Sequence, residues 1–173
     1  MYELARASPR PSANHPLRLY PEGYRVEGSG SGGGPDKPRE TGGAVKNNLT
    51  VTLGVPMDEA EKMVRSELQQ QGFGVLTEID VARVFADKLD VSRRPLKILG
   101  ACNPVMAHEA LSRDAAVALA LPCNVVLDSI RDDETTVSIA DPSLMMPGEE
   151  FADLAGEAKS RLAAVLAALH PGD

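Results

Sequence analysis

Two short motifs, Gly100-Ala101-Cys102-Asn103-Pro104 and Leu121-Pro122-Cys123-Asn124, hold both cysteines of this 173-residue chain. Each sets a Cys-Asn pair beside a proline, where the hydropathy pattern breaks and the backbone is expected to turn. Cys102 has the stronger chemical case. Asn103 and Pro104 read as the N-cap and first residue of a helix reaching about Arg113, so the thiol falls just outside a helix N-terminus. There the helix dipole and free backbone N–H groups favour a thiolate, and equally a small anionic ligand. The plainer alternative is a small buried hydrophobe at a strand end. Cys123 follows a proline and precedes a strand. With no Cys-x-x-Cys spacing, a disulfide between the two requires their elements to be neighbours with suitable geometry.

Other side chains can assist such a thiol. His108 falls in the second turn of the helix after Cys102, flanking the apolar positions Ala107, Ala110 and Leu111. A Cys102–His108–Cys123 metal set can be drawn, but it matches no usual zinc spacing, and no haem signature is present. No metal site is therefore expected, and no cofactor is identified. Glu78 and Asp80 alternate onto one strand face, with carboxylates roughly 7 Å apart by strand geometry. Such a pair can serve as acid and base or hold a cation, and Lys97 on the next strand can neutralise one of them. A solvated, ion-paired polar face competes with that reading. Asp141-Pro142 reads as a turn, and Met145 and Met146 as packing or interface residues.

The elements that must position these residues begin after an irregular stretch. Residues 1–44 contain six of the chain's thirteen prolines and the run Gly28-Ser29-Gly30-Ser31-Gly32-Gly33-Gly34, a composition that buries too little apolar surface to offset chain entropy. They are expected to form a tail or linker. Gly28, Gly30 and Gly33 share the spacing of a dinucleotide fingerprint, but no apolar strand precedes them and no helix follows. From residue 45 to 173 one domain is expected. Leu49–Leu53 alternates as a half-buried strand. Pro56 opens a helix with Met57, Ala60, Val64 and Leu68 on one face, closed by Gly72. Phe73–Val81 reads as a strand with Val75, Thr77, Ile79 and Val81 on one side and Leu76, Glu78 and Asp80 on the other. A short helix over Val81–Leu89 and a strand over Leu96–Cys102 follow. Val125–Ile130 and Thr135–Ala140 form a hairpin around Arg131-Asp132-Asp133-Glu134. The last helix carries Phe151, Leu154, Ala155, Ala158, Leu162, Val165, Leu166 and Leu169 in one apolar stripe before Pro171. Helices mixed with a hairpin point to an α+β fold, a two-layer sandwich of a mainly antiparallel sheet with helices packed on it.

Bulk composition narrows the function classes. The net charge is −7 and the pI about 5.0, which argues against binding nucleic acid by phosphate neutralisation. Aromatic residues make up 3% and Trp is absent, so base stacking and aromatic sugar platforms are not expected. No apolar stretch approaches the roughly 18 to 20 residues that span a bilayer, and the N-terminus lacks the continuous apolar core of a signal peptide. No membrane association is expected. Two cysteines make no disulfide framework, so a cytoplasmic location is the expectation.

Three segments carry a family resemblance: Thr77-Glu78-Ile79-Asp80-Val81, the run Pro95-Leu96-Lys97-Ile98-Leu99 leading into the first cysteine motif, and Leu121-Pro122-Cys123-Asn124-Val125-Val126. Over about residues 45–170 the chain resembles the bacterial and archaeal family known as domain of unknown function 302, and Asp141-Pro142 with Met145-Met146 fits that family's usual ending. The resemblance implies a compact α+β domain, commonly a homodimer, without an established general activity. It also implies a pocket set of Glu78, Asp80, Lys97, Cys102, Asn103, His108, Cys123 and Asn124. Leu96 stands where the family often has an aromatic residue. The leading expectation is a ligand-binding or sensing homodimer whose pocket is lined by the two Cys-Asn motifs and takes a small polar or anionic ligand. The alternatives are a thiol-dependent enzyme or sulfur carrier using Cys102 with His108 or Glu78, and a structural or interaction module.

Overall fold

A computed structural model describes residues 49–169; the expected tail over residues 1–44 lies outside the described residues. The elements are β1 (Leu49–Leu53), α1 (Met57–Gln70), β2 (Gly74–Asp80), α2 (Val81–Leu89), β3 (Leu96–Cys102), α3 (Pro104–Arg113), β4 (Cys123–Arg131), β5 (Glu134–Ile139), α4 (Pro142–Met145) and α5 (Ala152–Leu169). Two 3-10 turns, Ala115–Ala120 and Glu149–Phe151, precede β4 and α5. The strands form one sheet in the order β1-β5-β4-β3-β2, with every neighbouring pair antiparallel. The chain thus adopts the expected α+β arrangement.

Period-two alternation decides which face of the sheet is buried. Val51 and Leu53, Leu99 and Ala101, Val125 and Leu127, and Val137 and Ile139 form the core with Ala60, Val64 and Leu68 of α1 and Leu162, Val165 and Leu169 of α5. The opposite face is more open. Thr50 meets Ser138 and Thr52 meets Thr136 through hydroxyl contacts of 3.2 Å, and Ile79, Ile98 and Val126 stand in register across β2, β3 and β4.

Three local features depart from the sequence expectation. A bulge between Val75 and Thr77 shifts the β2 register. Val75, partner of Ala101, therefore packs against the core beside Glu78 and Asp80, while Thr77 and Ile79 face the other way. Val81 begins α2 rather than ending the strand. The hairpin is tighter than expected, because Arg131 still pairs with Glu134 and only Asp132-Asp133 remain as the turn. Asp141 starts the single turn of α4 as its cap.

Glycines mark two places where the chain closes on itself. Gly72, after α1, has φ +80°, a conformation glycine adopts without steric cost. Gly100 has an extended backbone yet admits no side chain, since a Cβ there would lie 2.6 Å from Cγ of Pro122 and would also collide with the Thr77 hydroxyl. The first cysteine motif therefore makes room for the proline of the second.

Candidate functional site

Where β3 ends and β4 begins, the two cysteine motifs meet. Ala101 pairs with Cys123, and Gly100 with Asn124. Asn103 then turns the chain into α3 as its N-cap, its Oδ1 accepting from the backbone N–H groups of Val105 (3.1 Å) and Met106 (3.2 Å). The Ala107 N–H donates to the Asn103 carbonyl at 2.9 Å, and Pro104 has no N–H to offer. All the N–H groups of this helix start are thus committed within the chain. The anion-binding helix start expected from sequence has no donor left for a ligand.

Beneath this turn lies a cavity of about 30 Å³, room for about one water. Cys102, Asn103 and Cys123 line it, with Met106 from α3, Met146 from after α4, and apolar walls that include Phe73, Leu121 and Leu154. An ionic clamp ties α3 to α5, the helices that supply Ala110 and Leu154 to the lining. Arg113 at the end of α3 donates to both carboxylate oxygens of Asp153 in α5 (2.7 and 2.8 Å) and to Glu109. Outside, a groove of about 430 Å³ runs along the 3-10 turn after α3, and Met146 lines both spaces.

Both cysteines are free thiols. Burial pushes the Cys102 thiol up from its ordinary value. Cys123 is pushed up to about 11, first by burial and then by the charge of neighbouring Cys102. This reverses the expectation of a helix-activated thiolate, because Asn103 already occupies the donors and the apolar walls favour the neutral form.

The carboxylates read as possible acid and base occupy a different place. Glu78 and Lys97 join Glu61 and Arg65 of α1 in a closed ion-pair ring. Lys97 Nζ donates to Glu61 (2.8 Å) and Glu78 (3.0 Å), and Arg65 donates to Glu61 (2.8 Å) and Glu78 (2.6 Å). The hydrogen bonds that Lys97 donates to Glu61 and then to Glu78 raise its pKa. Burial pushes Glu61 upward, but the bonds from Lys97 and Arg65 outweigh it and hold its carboxyl below the usual range. Asp80 caps α2, accepting the Arg83 N–H at 2.9 Å. His108 is exposed on α3 and does not line the cavity. Asn124 is exposed too, since alternation turns it away from Cys123 to the other face. Of the eight residues singled out from sequence, the cavity gathers Cys102, Asn103 and Cys123.

Sequence reasoning passed over Met106 and Met146 as cavity residues. A signal was available for the first, because Met106 follows Cys102 by one helical turn of sequence. Met146 reaches the cavity through the fold alone. Asp141 also proves more than a turn residue. Its buried carboxylate accepts from the Ser143 N–H (2.9 Å) and pairs with Lys159 of α5 (2.8 Å). Burial pushes that carboxyl up, and the Lys159 and Ser143 bonds more than reverse it, leaving the pKa lowered. Among the described residues no three His, Cys, Asp or Glu side chains cluster as a metal-ligand group, and no helix is long and apolar enough to cross a membrane.

Comparison with known proteins places this geometry in a family. The family model described as domain of unknown function DUF302 matches residues 49–169. A search of curated proteins finds no match. Among solved structures, the chain is similar to the crystal structure of an uncharacterized conserved DUF302 protein from Bacillus stearothermophilus. The two are 28% identical with a TM-score of 0.65, over 71% of this chain and 98% of that one.

Proposed function

We propose that this chain, which belongs to the DUF302 family, is a binding or sensing domain that works as a homodimer, with the cavity between its two cysteine motifs as the binding site. One observation carries the reading: two sequence-distant motifs pack through Gly100 and Pro122 and bring both thiols to one mainly apolar space. The geometry favours binding over catalysis. Burial keeps both thiols protonated near neutral pH, His108 stands on the outer surface, and Glu78 is committed to the ion-pair ring. A thiol enzyme or sulfur carrier built on Cys102 has correspondingly less support. The cavity's size and walls favour an occupant that is very small and apolar or soft over a polar metabolite. Two free thiols suit a reducing compartment such as the cytoplasm.

The homodimer reading draws on the open sheet face, where Ile79, Ile98 and Val126 form an apolar row and Ile79 is 48% exposed. Exposed apolar sheet surface of this kind is suited to covering by a second copy. Native mass spectrometry of the protein purified from its host tests both parts. A dimer mass with a retained small ligand is the expected result. A monomer that carries nothing, and whose melting temperature no small ligand raises, overturns the reading. Ala158→Leu, which fills the cavity from α5, is expected to abolish ligand retention and leave the dimer intact.

A further inference from the structure

We propose that the cavity is a binding site for a soft monovalent metal ion, Cu(I), held by the sulfurs of Cys102 and Cys123 together with the thioethers of Met106 and Met146. The proposal rests on the cavity being the binding site and names its ligand. Both cysteines of the chain and two of its six methionines line this one space of about 30 Å³. No carboxylate and no imidazole lines it, and the side-chain oxygen of Asn103 is occupied in capping α3. Thiolate and thioether donors select Cu(I), whereas carboxylates and imidazoles suit harder or borderline ions.

Charge and size point the same way. An ion in an apolar enclosure must be neutralised by its ligands. One thiolate cancels the charge of Cu(I), and the two thioethers and second thiol add donors without adding charge. Zn(II) in the same place needs two thiolates, and its structural sites are built from four Cys or His ligands. A space sized for about one water suits a bare ion better than a hydrated one or a metabolite. The neighbouring groove carries suitable chemistry as well. Asp114 and Glu150 in its wall attract a cation, Met145 and Met146 stand beside them, and Met146 lines both the groove and the cavity. Binding breaks one S–H bond and forms a sulfur–copper bond in its place. The proton leaves to water, copper remains Cu(I), and no electron is transferred.

The test is an anaerobic titration of the reduced full chain with Cu(I) in competition with bicinchoninate. One Cu(I) per chain is expected, with an ultraviolet thiolate-to-copper charge-transfer band and protection of both cysteines from alkylation. Cys102→Ser and Cys123→Ser should each weaken binding by more than about tenfold, and Met106→Leu and Met146→Leu, which conserve volume, by several-fold to roughly tenfold. Met63→Leu, outside the cavity, should change nothing. The proposal is overturned if the Cys102→Ser, Cys123→Ser double variant binds Cu(I) as tightly as the parent, or if bound Cu(I) leaves both thiols open to alkylation. A small ligand that stabilises the parent but not Ala158→Leu, when Cu(I) does not bind, removes the metal and leaves the cavity reading standing. If neither binds, both fall.

Discussion

Strand β3 begins among charges and ends among sulfurs, and its two ends show opposite ways of using reactive side chains. At Lys97, two acids and two bases satisfy one another in a ring in which every charge has two partners. Five residues on, at Cys102, four sulfur-bearing side chains surround a space that the chain does not fill. The first end is rich in the groups of acid–base catalysis, and each of its charges is already paired within the chain. The second has little intrinsic reactivity but keeps its donors uncommitted. A site is marked by unsatisfied capacity around a cavity more than by residue type.

The sharpest way to break this contrast is to measure thiol reactivity. With the Cys123 thiol pushed up to about 11, its thiolate fraction at pH 8 is roughly a hundredfold or more below that of an ordinary cysteine. Iodoacetamide labelling followed by mass spectrometry should show Cys123 as the slower of the two, and both slower than a model thiol. Labelling at the model rate would mean that the sulfur end is open and activated. Next in size is Gly100→Ala, which drives a methyl into the ring of Pro122. Overpacking of this kind costs about 1 to 3 kcal/mol. Urea denaturation should show that loss, together with faster cysteine labelling as the motifs separate.

The ring is tested by Lys97→Met, which leaves Glu61 with Arg65 as its remaining cationic partner. Hydrogen bonds to charged groups are worth about 1.5 to 3 kcal/mol, and partial exposure of this ring lowers the expected loss at pH 7 to about 1 to 2 kcal/mol. Because the folded pKa of Glu61 is lowered, its contribution is present at neutral pH and disappears as pH falls through that folded value. Lys97 is raised, so its contribution is full below the unfolded lysine value and is lost as pH rises through the folded one. Stability measured against pH should therefore fall less steeply on the acid side in Lys97→Met than in the parent. The smallest effect belongs to His108→Ala, an exposed position outside both regions. Its stability should stay within about 0.5 kcal/mol of the parent, and ligand retention should be unchanged. A large effect there would return His108 to the site.

Much of this was legible in the chain. The stripes Met57, Ala60, Val64, Leu68 and Leu154 to Leu169 identified α1 and α5, and the alternation in β1, β3 and the hairpin identified the sheet. The bulge at Leu76 was not legible, because Val75-Leu76-Thr77 alternates acceptably in either register and only pairing with Ala101 and Gly100 decides. The site was half legible. Cys102 and Asn103 stay together because the chain turns between strand and helix, whereas Cys123 and Asn124 are successive strand residues and must part to opposite faces. Glu78 and Lys97 looked like chemistry because α1, which supplies Glu61 and Arg65 to satisfy them, is remote in sequence. Met146 entered the cavity for the same reason, by a long-range contact that no local pattern announces.

The bulge in β2 bears on how the molecule keeps to itself. β2 is an edge strand, and Leu76 on it is 67% exposed, the kind of ledge on which another chain can add a strand and seed a fibre. The bulge interrupts the regular row of backbone donors and acceptors at that residue, and the carboxylates of Glu78 and Asp80 follow close behind. An intruding strand would lose register there and meet charge. Deleting Leu76 would straighten the ledge, so the residue that leaves a leucine in water is also the one that breaks the row an added strand would need.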